Sequence, residues 1–248
     1  MRNLFISLLL FLVANSTSAA DKLPDFEIRP LAENVYLHIS YKVVDRFGLV
    51  DSNGLVVVDD GDAYIIDTPW SAQDTERLLE WIAARGLTIK GSVSTHFHED
   101  RRAGIEVLNA RSIPTHASKL TNALLSKAGK AQASRAFDNN FWLVEDQIEI
   151  FYPGPGHSQD NVVVWLPKPG TLFGGCFIRA AESTSLGNVS DAFVSQWPES
   201  AAKVLGRYKT ARVVVPGHGK VGDASLLQHT RTLALEASHK SSKPAKDE

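Results

Sequence analysis

The sequence predicts an α+β protein made of two similar halves whose sheets pack face to face. Three observations carry this expectation. A hairpin, a helix, a strand and a histidine-bearing loop follow one another in that order twice along the chain. The valine-rich runs at 55–58 and 162–166 suit strands covered on both faces. No low-complexity linker divides the halves, so residues 21–248 are expected to form one domain.

The elements follow in order. Residues 1–20 have a short basic start, an apolar run from Leu4 to Ala14 and the small, polar Ser16-Thr17-Ser18-Ala19-Ala20. This pattern predicts a cleaved secretory signal peptide, too short to span a bilayer as a helix. Val35 to Ile39 predicts a strand, and Tyr41 to Gly48 a loop. Leu55-Val56-Val57-Val58 and Ala63-Tyr64-Ile65-Ile66 flank Asp59-Asp60-Gly61-Asp62, a hairpin signal. Thr75 to Ile82 has helical periodicity with Gly86 as its stop, and Ile89 to Ser94 predicts a strand. Ile148 to Phe151 predicts another, ahead of a turn-rich loop. In the second half, Val162–Leu166 and Thr171–Gly174 flank Pro167-Lys168-Pro169-Gly170 as a second hairpin. Gln196 to Tyr208 predicts a helix, Arg212 to Val215 a strand, and Ser238 to Glu248 a frayed polar tail.

Net charge is −2, so bulk charge gives no reason to expect a nucleic-acid partner. After residue 20 no apolar run approaches membrane length, so a soluble exported protein is expected, with no stable membrane association. It is expected to be periplasmic, and a monomer because no long exposed apolar face is evident. Cys176 is the single cysteine, so no internal disulfide can form. In an oxidising compartment a lone thiol is either inert in the core or committed as a ligand or nucleophile.

The chemistry concentrates at strand ends. His96, His98 and Asp100 stand at alternate positions, where an extended segment projects side chains to one side. His157 and His218 lie in glycine-bounded loops after strands, and Cys176 ends the second hairpin. Six such donors suit two metal ions. His96, His98 and His157 make a neutral three-imidazole set with an open position, the pattern that holds catalytic zinc. Asp100, Cys176 and His218 make a softer, anionic second set, where a thiolate favours zinc over magnesium or calcium. Ligation also explains an unpaired thiol. His38, His116, His229 and His239 fall outside both sets and are expected on the surface or in the core.

These residues sit in stretches similar to the metallo-β-lactamases: STHFHEDRRAG, YPGPGHSQDN, LFGGCFI, VVPGHGKVGD, GLVVVDDGDAYIIDTPWS and LGNVSDA. The likeness is nearest to the di-zinc subclass with cysteine in the second site, which includes the acquired imipenem-hydrolysing enzymes. The glyoxalase-II-like and ribonuclease-like members of the wider superfamily usually carry a histidine directly after the aspartate and bridge the metals with aspartate. Arg101 and Cys176 stand in those places here.

The resemblance implies a four-layer αββα sandwich with the site at one sheet edge and two Zn2+ ions as cofactors. It implies hydrolysis of the β-lactam amide bond of penicillins, cephalosporins and carbapenems by a zinc-bound hydroxide, and hence antibiotic resistance. Asp100 and Asn188 are the catalytic residues it implies, Asn188 by orienting the lactam carbonyl. Arg179 stands where close relatives often have a lysine for the substrate carboxylate, and its planar fork suits the same partner. Phe47 matches the aromatic tip of a mobile flap, and the loop before Asn188 is longer here. Asp67 and Arg101 are expected to back the ligands, Asp67 by orienting an imidazole. Arg102, commonly a small or β-branched residue in the family, is expected to tune zinc affinity. A related hydrolase of thioesters or lactones, and a non-catalytic zinc-binding protein, are the alternatives.

Overall fold

The computed structural model describes residues 23–241, so the predicted signal peptide and the tail from residue 242 lie outside the described residues. The first half opens with β1 (Glu27–Ala32), β2 (Val35–Val44), β3 (Gly48–Asp59) and β4 (Asp62–Ile66). It continues through α1 (Ala72–Ala83), β5 (Thr88–Val93), α2 (Glu99–Arg102), α3 (Ile105–Ala110), β6 (Thr115–Ser118), α4 (Lys119–Lys127) and β7 (Arg135–Phe137). The second half holds β8 (Asn140–Val144), β9 (Ile148–Phe151), β10 (Val163–Leu166), β11 (Thr171–Gly175), α5 (Trp197–Arg207), β12 (Val213–Pro216) and α6 (Ser225–Ser241). β1 to β7 form one sheet in sequence order, and β12-β11-β10-β9-β8 form the other.

Strand periodicity builds the layers. In β3, Leu55 and Val57 point into the core between the sheets, while Val56 packs with Leu78 and Ile82 of α1. In β10, Val164 and Leu166 enter the same central core, and Val163 faces Val204 of α5 and Leu227 of α6. Alternate side chains leave a strand on opposite faces, so runs apolar at every position bury both sides. The order is helix, sheet, sheet, helix. Each half carries the same unit: an antiparallel hairpin (β3–β4, β10–β11), a helix, and a strand parallel to the last (β5 on β4, β12 on β11). Both units deliver their chain to a histidine loop on leaving the sheet.

Two sequence expectations are corrected. Tyr41 to Gly48 is not a loop: β2 and β3 stay paired as far as Val44↔Gly48, and only Asp45, Arg46 and Phe47 lie in the turn. Arg46 and Gly48 take left-handed backbone there, with φ of 65° and 72°. This ribbon projects beyond the sandwich, leaving Val43, Phe47 and Leu49 exposed, so it lacks the burial that makes a strand legible. Ser238 to Ser241 are helical and close α6 rather than starting a tail. Among the described residues no helix is long and apolar enough to cross a membrane.

The start of α1 has a local cause. Ser71 is extended, and its Oγ accepts the Asp74 N–H at 3.0 Å, satisfying one of the donors a helix start leaves unpaired. Replacing Ser71 by alanine is expected to cost about 1 kcal/mol of stability. Urea unfolding of Ser71→Ala checks this, and an unchanged midpoint would contradict it.

Candidate metal centre

The loops leaving β5, β9, β11 and β12 converge at one edge of the sandwich. His96 Nε2 lies 2.9 Å from His98 Nδ1, which lies 3.1 Å from His157 Nε2. Beside them, Cys176 Sγ lies 3.1 Å from Asp100 Oδ2 and 3.2 Å from His218 Nε2, and His218 Nε2 is 3.2 Å from Asp100 Oδ2. The two sets adjoin, since donor atoms of His96, Asp100 and Cys176 all fall within 4.8 Å of one another.

Close approach dictates the glycines here. A Cβ on Gly217 would meet Cys176 N at 2.6 Å, so only glycine lets the His218 loop reach the Cys176 loop. One on Gly156 would meet Phe177 Cε2 at 2.5 Å, where the His157 loop packs down. Trp197, fully buried at the start of α5, donates Nε1–H to Phe177 O at 3.2 Å and sets its ring 5.9 Å from His157.

The donor chemistry fits metal ions. His98 donates Nε2–H to the Asp191 carboxylate at 3.0 Å, so its Nδ1 faces the other imidazoles as a lone pair. His218 donates Nδ1–H to the Asp51 carbonyl at 2.5 Å, which leaves Nε2 free toward Cys176 and Asp100. Outer partners that fix the tautomer in this way are the usual support of metal-bound histidine. Burial, with the neighbouring imidazoles, holds His96 and His157 well below the ordinary histidine value, so both present neutral rings. Nitrogens 2.0–2.1 Å from a tetrahedral ion lie about 3.3 Å apart, close to the spacings found. Imidazole nitrogens at that spacing either share a proton in a hydrogen bond or hold a cation between them.

Arg101 lies beneath this cluster with no exposed surface, and all five of its N–H groups are used. Nε reaches Asp100 Oδ2 at 2.8 Å, and Nη1 reaches Asn53 O at 2.6 Å and Asp67 Oδ2 at 3.3 Å. Nη2 reaches Ser52 Oγ and Gly217 O, each at 3.0 Å. Burial alone would raise the Asp100 carboxyl, but the Arg101 guanidinium beside it outweighs this and holds it well below the ordinary carboxylate range. Burial drives the Cys176 thiol well above its ordinary value, Arg101 opposing and Asp100 adding.

The other predicted residues fall as follows. Phe47, Arg179 and Asn188 line one cleft with His98, Asp100, His157 and His218, of about 330 Å³. Arg179 is largely buried and its Nε has no partner, while Asn188 is exposed and its Oδ1 accepts Ser190 N–H at 3.1 Å. Asp67 does not touch an imidazole of either set. Its carboxylate takes Thr95 N–H at 2.7 Å and Thr95 Oγ1–H at 2.8 Å, besides Arg101. The reason is position: Asp67 directly follows β4 in left-handed backbone, φ 57°, under the residue before His96. Burial pushes its carboxyl up to about 7 against those donors. Arg102 turns away from the ligands into a neighbouring groove with Trp70, Glu99 and Glu106, and no described hydrogen bond or ion pair joins it to either set.

His38 and His116 are buried and donate ring N–H groups to the backbone oxygens of Asp67 and Ser92, as core residues. His229 meets Ser183 O from α6. Sequence reasoning missed Asp191, Asp51, Ser52, Asn53 and Thr95. Only Asp191 left a signal, a carboxylate in the same loop as Asn188, where a ligating histidine needs an acceptor for its second nitrogen.

Two predictions follow from this geometry. Arg101→Met leaves two buried carboxylates without their cation and is expected to destabilise the metal-free protein by about 3–5 kcal/mol at neutral pH. Because the folded Asp100 value is depressed, Arg101 stabilises above the ordinary carboxylate range, and its contribution fades as pH falls through the folded value. Urea titrations at neutral and acid pH check this; an equal penalty at both would contradict it. Since Cys176 is a thiol in the metal-free chain, zinc uptake is expected to release about one proton more from the wild type than from Cys176→Ser. Indicator-dye titration reads the difference, and equal release would contradict it.

Residues 47–218 match the family described as the metallo-beta-lactamase superfamily. A metallo-beta-lactamase type 2 of Pseudomonas aeruginosa is 48% identical over 98% of both chains, and one of Bacteroides fragilis is 33% identical over 98% of this chain and all of its own. The crystal structure of DIM-1 metallo-beta-lactamase exposed to ceftazidime superposes with a TM-score of 0.87 at 53% identity, over 88% of this chain and 100% of that one. FIM-1 from Pseudomonas aeruginosa, in a mono-zinc form, superposes at 0.82 with 33% identity, over 86% and 96%. The chain belongs to the metallo-β-lactamase superfamily.

Proposed function

We propose that this chain opens β-lactam rings as an exported, periplasmic zinc hydrolase that uses two ions, with penicillins, cephalosporins and carbapenems as substrates. The observation that carries this reading is the pairing of two adjoining donor sets, His96, His98, His157 and Asp100, Cys176, His218, at the floor of a single cleft. The relatives bear the matching name over nearly the whole chain. The signal-peptide pattern of residues 1–20 supports export.

Zinc held there supplies Lewis acidity and a water acidic enough to lose a proton near neutral pH. The chain's own side chains do the rest. The three-histidine set offers no anionic donor, so an ion held there would keep its charge toward a carbonyl oxygen. Asp100, Cys176 and His218 would hold a second ion, and this set, anionic once the thiol is deprotonated by metal, would suit charge gathering on the departing ring nitrogen. Arg179 enters the cleft with an unpartnered Nε and a planar fork that fits the substrate carboxylate. The Asn188 carbonyl is taken by Ser190, which leaves its N–H groups for the lactam oxygen. Phe47, exposed at the ribbon tip, covers an apolar substituent and excludes water.

The thioester and lactone reading rests on no observation in the site. Hydrolysis of a chromogenic cephalosporin and of imipenem, with and without a chelator, tests the proposal. Cleavage of both, abolished by chelation and restored by zinc, is expected. No cleavage in the presence of zinc would overturn the β-lactam reading, and indifference to chelation would overturn the metal chemistry.

A further inference from the structure

The loop that carries His218 is gripped by two carboxylates that belong to neither donor set. Asp51 stands on β3, four residues past the ribbon tip Phe47. Its backbone oxygen accepts His218 Nδ1–H, and its Oδ2 accepts Gly219 N–H at 2.7 Å. One residue further, Lys220 N–H donates to Glu182 Oε1 at 2.9 Å. Glu182 belongs to the loop between Arg179 and Asn188, both of which line the cleft. Two successive amides after a ligand are therefore held by carboxylates from two separate segments, β3 and the loop between Arg179 and Asn188. Gly219 makes the grip possible: at φ 83°, a Cβ would lie 2.7 Å from Ala180 Cβ and 2.8 Å from Glu182 Oε1.

The arrangement is more than a turn closing on itself, because all three segments are remote in sequence. The imidazole of His218 can meet Cys176 and Asp100 only while Nδ1–H has its acceptor and the backbone at 217–219 is held. Asn53 helps from the same strand, donating Nδ2–H to Pro216 O and Gly219 O, each at 2.9 Å. The Asp51 carboxylate is the negative end of that clamp, and Glu182 is its counterpart on the substrate loop.

We propose that Asp51 and Glu182 are positioning residues that clamp the His218 loop, so that the β2–β3 ribbon and the Arg179–Asn188 loop are both coupled to the second metal set. This rests on Asp100, Cys176 and His218 holding a metal. A displacement of either segment would move an anchor of His218, and so would adjust the donor set formed by Asp100, Cys176 and His218.

Cobalt titration of the metal-free protein tests the clamp without turnover, because a thiolate–cobalt charge-transfer band reports the Cys176 set alone. Asp51→Ala keeps the backbone oxygen that accepts His218 Nδ1–H and removes only the carboxylate that accepts Gly219 N–H, so it is expected to weaken cobalt binding at that set by about 10-fold, the scale of one hydrogen bond to a charged acceptor. Binding at the three-histidine set should stay within about 2-fold, which also shows that the variant is folded. Asp51→Asn keeps an acceptor for Gly219 N–H and should recover most of the loss. Glu182→Ala should weaken the band by about 3-fold, as expected for one exposed hydrogen bond. Amide exchange at Gly219 and Lys220 in the metal-free chain should quicken in the matching alanine variants. Unchanged cobalt affinity in Asp51→Ala with a normal wild-type band would overturn the clamp, as would unchanged amide exchange at Gly219 should that variant bind cobalt poorly at both sets. A wild type with no thiolate band would instead overturn the two-set reading on which the clamp rests.

Discussion

The buried guanidinium of Arg101 is the contact on which the site depends. A charge with no exposed surface is tolerated only when every donor is satisfied and an opposite charge is near. Arg101 meets both conditions by joining β3, the end of β4, the His218 loop and the ligand Asp100. The two halves of the fold are thus tied together directly under the donors. A lysine could not replace this: one ammonium has three N–H groups and no planar fork.

The same residue organises the electrostatics. Asp100 and, once metal is bound, the Cys176 thiolate bring negative charge into a buried place, and Arg101 balances it from below. The three-histidine set needs no such balance, because burial already keeps His96 and His157 neutral. The two donor sets therefore differ in charge by construction. Under the two-ion proposal, that difference would suit polarisation of a carbonyl at the neutral set and stabilisation of an anionic nitrogen at the other. The rigid floor contrasts with the rim, where the ribbon tip and the Asn188 segment are exposed and reach the floor through hydrogen bonds to single loops.

Much of the floor was legible in the sequence, for a physical reason. Metal donors are rare residue types placed where strands end, and burial imposes a period of two on the strands that deliver them. His96, His98, His157, Cys176 and His218 stand out on that ground, as do the doubly covered runs Leu55–Val58 and Val162–Leu166. The supporting groups do not stand out. Asp51, Ser52, Asn53 and Thr95 are ordinary polar residues whose role arises only when remote segments meet. Asp67 illustrates this: a carboxylate near the site was foreseeable, but its attachment to Thr95 and Arg101, instead of an imidazole, depends on a left-handed turn at the end of β4. The ribbon was missed because a strand that leaves the sandwich buries nothing and loses its alternation. The short helices α2 to α4 are likewise too brief to show a period.

The central claim is that one buried cation holds two separate metal-binding sets side by side. Anomalous diffraction at the zinc edge, from crystals grown with zinc, tests it most directly. Two peaks are expected, one among His96, His98 and His157 and one among Asp100, Cys176 and His218, with Arg101 still bonded to Asp100. A zinc-saturated crystal with a single peak, or with zinc bound away from these six residues, would contradict it.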